Sequence, residues 1–92
     1  MDEFTFLKKF LILESYLKSK FLEFEGKPFS ELLSYCKEKN LFPLEILFDL
    51  SIIWQVRNSA FGKLSKFPKP KIPDETLLRF KRIGKYFKIN YE

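Results

Sequence analysis

One stretch constrains this chain more than any other: residues 43–62, PLEILFDLSIIWQVRNSAFG. It is long, poor in polar residues and free of internal breakers, so it suits a helix that other elements surround. Pro43 fits a first helical turn and Gly62 a stop. At about 100° per residue, Glu45, Asp49, Ile52, Gln55 and Val56 share a mostly polar strip. The opposite face carries Ile46, Leu50, Ile53 and Phe61, and Arg57 falls among them. An unpaired guanidinium on a dry face costs on the order of several kcal/mol, so Arg57 needs a carboxylate, a phosphate or a wet cleft. Two readings are open. Arg57 is a structural residue that snorkels or pairs with an acid, or it is a functional residue in a groove.

The rest of the chain reads as helices around that segment. In residues 3–25, Phe6, Phe10, Leu13, Leu17, Phe21 and Phe24 recur at spacings of 4, 3, 4, 4 and 3. That keeps one apolar stripe in register on a first helix, with Leu7 and Leu11 widening it. Such a helix with Lys flanks can also lie on a membrane surface, but acids interrupt its polar side and the other segments need its stripe for their own burial. Gly26-Lys27-Pro28 breaks it. Residues 28–39 start a second helix, with Ser30 as a candidate cap and Phe29, Leu32, Leu33 and Cys36 as its buried side. Leu41-Phe42-Pro43 then turn straight into the central helix, which makes those two neighbours.

After Gly62, prolines at 68, 70 and 73 rule out continuous helix. Lys63, Lys66, Lys69 and Lys71 punctuate this loop, either as a solvated connection or as a basic rim over whatever Arg57 faces. Pro73-Asp74-Glu75 opens a last helix over about residues 73–88, acids in its first turn matching the helix dipole. Asp74 and Glu75 are candidate carboxylate partners for Arg57. The closing Ile89-Asn90-Tyr91-Glu92 reads as a frayed tail. The expectation is a single all-α domain over residues 1–92, a four-helix bundle of up-down type; Trp54 packs in its core by default, or at a dimer contact.

Charge and composition narrow the chemistry. The net charge is +5. Residues 1–50 hold seven Lys and nine acids, net −2; residues 51–92 hold ten Lys and Arg and three acids, net +7. That asymmetry fits a polyanionic partner such as RNA, and equally a solvated basic surface. Cys36 is the one cysteine, so no intrachain disulfide forms and a reducing compartment fits. The chain has no His, which removes a Cys–His pair, the usual His base and His-built zinc sites. No Gly-rich phosphate loop, paired catalytic carboxylates or metal pattern is present, so no cofactor or metal is expected. The acidic start lacks the basic region of a signal peptide, and no apolar run reaches membrane-span length; a soluble, cytoplasmic protein is expected.

What remains is Arg57-Asn58 near the end of an apolar helix, followed by a small residue, an aromatic and Gly62. Here FSELLSYCKEKNLFPLEILFDLSIIWQVRNSAFGK resembles the HEPN superfamily, small helical bundles of prokaryotic toxin–antitoxin and defence systems. Its members have a helix ending in Arg-Asn, a few residues, then His and often Gly. A short helix and turn precede that helix, and a loop and final helix follow it. The resemblance spans roughly residues 29–88. It implies a HEPN-like fold and a dimer whose two Arg and two His line one cleft, usually a metal-independent ribonuclease. Arg57 takes the catalytic Arg place and Asn58 the polar place beside it. The His would fall at about residues 62–64, where this chain has none. Without imidazole the ribose hydroxyl lacks its acid–base partner, although Arg57 can still bind a phosphate. Many relatives also pair with a nucleotidyltransferase-type antitoxin chain.

Three readings follow. The first is a non-catalytic HEPN-like module that dimerises and binds a partner protein or RNA, with Arg57, Lys63, Lys66, Lys69 and Lys71 as its binding residues. The second is a ribonuclease toxin working through Arg57 and Asn58. The third is an unrelated small helical protein in which Arg57 is structural.

Overall fold

The computed structural model describes residues 1–61 and 71–92. Among these, four α-helices form: α1 (Glu3–Lys20), α2 (Phe29–Glu38), α3 (Leu44–Phe61) and α4 (Glu75–Phe87). The protein is all-α over the described residues, as its patterning requires. The stretch 62–70, with Lys63, Lys66, Lys69 and two of the loop prolines, lies outside them.

The first helix is shorter than the stripe implies. Asp2 caps it, its Oδ1 accepting from the Thr5 amide at 2.6 Å. Helical geometry ends at Phe21 (φ −127°, ψ 74°), and Leu22–Phe24 forms a 3-10 turn instead of continuing to residue 25. That turn sets Phe21 and Phe24 on Tyr35 of α2, at 6.2 and 5.2 Å between ring centroids. Gly26, at φ +80°, completes the reversal in a region only glycine enters freely. Of the expected stripe, Phe6, Phe10, Leu13 and Leu17 are buried. Leu11, expected to widen it, is half exposed.

At the start of α2, Pro28 rather than Ser30 holds the position before the first turn, with extended backbone and no side-chain cap. Pro suits this place because its missing N–H would have no helical partner. Phe29, Leu32, Leu33 and Cys36 are buried, as their spacing predicts. Asn40 ends the helix at φ +50°, a left-handed conformation that Asn tolerates.

Helix α3 packs against each of the other three helices. An aromatic layer ties them together. Phe6 stacks on Phe61 at 5.8 Å and meets Phe80 of α4 edge-on at 5.6 Å. Phe10 and Phe29 both contact Trp54, at 6.1 and 5.4 Å. Trp54 therefore packs on the core, as expected of one indole among Ile and Leu.

The tail is docked, contrary to the expectation of fraying. Lys88 turns left-handed (φ 60°), and its amide and that of Ile89 both reach the Gly84 carbonyl. Tyr91 then lies against Gly84, where a Cβ would come within 2.8 Å of the tyrosine ring, and edge-on to Phe80 at 5.4 Å. The helix needs glycine there because the ring occupies the place of a side chain. Ile89 and Tyr91 together join the core that the tail was expected to leave bare.

Candidate functional site at the end of the central helix

The buried charge of the central helix is Asp49, and Arg57 is not. Asp49 is 1% exposed. Helix α4 covers it with two arginines: Arg79 Nη1 donates to Oδ1 at 2.7 Å, and Arg82 donates from Nε to Oδ2 at 2.8 Å and from Nη2 to Oδ1 at 2.9 Å. Glu45 lies 3.5 Å from Arg82, and Glu75 lies 3.9 Å from Arg79. Burial pushes the Asp49 carboxyl up; the hydrogen bonds and charges of Arg82 and Arg79 outweigh it and hold it below the ordinary carboxylate range. Of the strip read as polar, Glu45 and Asp49 thus lie at the seam where α3 meets α4, whereas Ile52, Gln55 and Val56 line an open cleft. Sequence did carry a signal for this: acids four apart on one helix, Glu45 and Asp49, match arginines three apart on another, Arg79 and Arg82.

Arg57 sits one turn beyond Trp54, and its guanidinium carbon lies 5.6 Å from the indole centroid. It is half-buried. Neither Asp74 nor Glu75 pairs with it: Glu75 is engaged with Arg79, and no carboxylate among the described residues comes within ion-pair distance of Arg57. The physical reason is position along α4, whose first turn faces Phe48 and the Asp49 seam. Of the readings open for Arg57, pairing with an acid is overturned; a structural arginine that snorkels past Trp54 and a functional one in a wet cleft both remain. Asn58 and Ser59 follow it, both exposed.

Lys71 is exposed and does not join Arg57. It lines a cleft of about 250 Å³ with Ile52, Gln55, Val56 and Ser59, on the side of α3 away from Trp54. Lys63, Lys66 and Lys69 lie outside the described residues. The buried Cys36 thiol is pushed up by desolvation, which suits a core residue.

Sequence reasoning missed one further surface. The outward side of α3 carries Leu44, 79% exposed, and Phe48, 58% exposed. Their i, i+4 spacing was legible; that both stay exposed, with the Arg79 guanidinium of α4 5.3 Å from the Phe48 ring centroid, was not. Arg57 lies roughly half a turn round the helix from this face, so the two surfaces look in different directions. Among the described residues no group of His, Cys, Asp or Glu is placed to hold a metal ion, and no helix is long and apolar enough to cross a membrane.

Comparison with known proteins finds no family model, no curated protein and no solved structure that matches this chain.

Proposed function

We propose that this chain is a HEPN-like interaction module of a toxin–antitoxin or defence system, one that binds RNA phosphate at Arg57 and works as a dimer without cleaving RNA. The observation that carries this reading is the setting of Arg57: a half-buried guanidinium, backed by Trp54, with no carboxylate among the described residues in ion-pair distance. A charged group so placed gains most from an anion that also accepts in the guanidinium plane, as a phosphate does. Exposed Asn58 beside it adds a neutral donor and acceptor. Nothing in the chain supplies an imidazole, so proton transfer at the ribose has no evident agent. In a symmetric dimer formed at this end of α3, two copies of Arg57 would share one anionic strand.

The test is incubation of the purified protein, and of its Arg57→Ala variant, with mixed cellular RNA. Intact RNA, with salt-dependent binding that weakens roughly fivefold or more in the variant, supports the reading. Cleavage by wild type that disappears in the variant would replace it with a ribonuclease that dispenses with His. Equal RNA affinity in both proteins would return Arg57 to a structural role. Sedimentation decides the dimer separately.

A further inference from the structure

The outward face of α3 is a second interaction surface, distinct from the Arg57 end. Leu44, Phe48, Ile52 and Gln55 rise along it, and with Ser59 they extend it to about 22 Å, fifteen helical steps. Two cavities of about 480 and 250 Å³ share Ile52 and Gln55, so they are successive lengths of one groove. The first is walled by the end of α2 at Lys37 and Asn40, the second by Lys71, Ile72 and Pro73. The floor is mostly apolar, with Ser51, Gln55 and Ser59 set among its aliphatic and aromatic side chains. The charged side chains that line the groove are Lys37 at one end and Lys71 at the other, both exposed and neither in an ion pair among the described residues.

An apolar floor between two free cations selects its occupant by charge. A second copy of this chain meets like with like: any two-fold pairing sets a lysine end of one groove against a lysine end of the other, which costs affinity. A helix with an apolar stripe and acids at its two ends satisfies both features at once, in the helix-in-groove mode. We propose that the α3 groove docks an acidic amphipathic helix, about four turns long, of a different protein. This rests on reading the chain as an interaction module and names the chemistry of its protein partner.

The probe is a synthetic peptide of about 16 residues with leucines spaced for one helical face and glutamates at both ends. A matched peptide carries lysines in their place. Fluorescence anisotropy with the full chain is expected to show the glutamate peptide binding roughly tenfold or more tightly than the lysine peptide. The Lys37→Glu, Lys71→Glu double variant is expected to reverse that preference. Phe48→Ser is expected to weaken the glutamate peptide by about tenfold. All three positions are exposed, and circular dichroism verifies that each variant stays folded. Equal binding of both peptides, or binding of neither, overturns the proposal. So does a wild-type dimer that Phe48→Ser dissociates, since a second copy would then fill the groove. Because RNA binding is read at Arg57 on the other side of α3, loss of RNA affinity with peptide binding intact counts against the phosphate site alone.

Discussion

At the scale of single residues, two buried polar groups have opposite fates. Asp49 is fully desolvated yet holds three charge-assisted hydrogen bonds. Asp49→Ala would leave two arginines without their acceptor. Breaking a buried pair costs about 3–5 kcal/mol, and the lower end applies because Arg82 still reaches water, so about 3 kcal/mol is expected in urea unfolding. The same site sets acid sensitivity. Its folded pKa is depressed, so its stabilisation is present above the ordinary carboxylate value of about 4 and is lost as pH falls through the folded value. Wild type should therefore lose stability between neutral pH and pH ~3 more steeply than Asp49→Ala. Tyr91 is the contrary case. Its hydroxyl is buried with no hydrogen-bond partner, and burial pushes its pKa upward. Removing an unsatisfied hydroxyl is nearly neutral or stabilising, so Tyr91→Phe should unfold at the same or slightly higher urea concentration at pH 7. Because the folded pKa is raised, the tyrosine's contribution is complete below its ordinary value of about 10 and is lost as pH rises above it. The phenylalanine variant should show a shallower alkaline loss; an unchanged one would mean that Tyr91 does not stay docked.

At the scale of elements, the ends of the helices decide more than their middles. Helix α1 stops at Lys20 although its apolar spacing runs on to Phe24. Local periodicity reports which residues want burial, and both Phe21 and Phe24 are partly buried through a 3-10 turn onto Tyr35. Helix α4 ends on Lys88 in the left-handed region, where a side chain is strained and glycine is not. Lys88→Gly should raise stability by about 1 kcal/mol, within the left-handed penalty of roughly 1–2 kcal/mol, as read by thermal unfolding. A loss instead would show that the Lys88 stem packs where it is now exposed. Gly84 makes the opposite demand: its bare Cα is the notch that lets the tail return over Phe80.

At the scale of the whole molecule, charge is segregated in sequence and partly cancelled in space. Arg79 and Arg82, two of the ten cations in residues 51–92, are absorbed by Asp49, Glu45 and Glu75. The basic excess is thereby left to groups such as Arg57, Lys71, Lys81 and Lys85. One RNA strand laid on Arg57 does not also meet Lys71, since the two lie on different sides of α3. If RNA binds at Arg57, its affinity should fall with salt with a shallow slope of about two to three released ions on logarithmic axes. A slope near seven would instead mean that the whole basic half wraps the strand. Filter binding across a salt series distinguishes the two.

Sequence alone determined that the chain is helical, where its breaks fall to within about five residues, and that the segment 43–62 holds its central helix. Those outcomes follow from local chemistry: apolar spacing near the helical period, prolines and glycines at the joints, and too few polar residues in one segment for it to face water. Only tertiary structure decided which charge is buried. Asp49 and Arg57 are both single charges on one long apolar helix, and their fates depend on where α4 crosses it, thirty residues further along the chain. The same crossing leaves Leu44 exposed and sets Arg79 over the ring of a still half-exposed Phe48, and the tail folds Tyr91 back onto Gly84. Packing between distant segments is a property of the assembled surface, and no period read along one helix contains it.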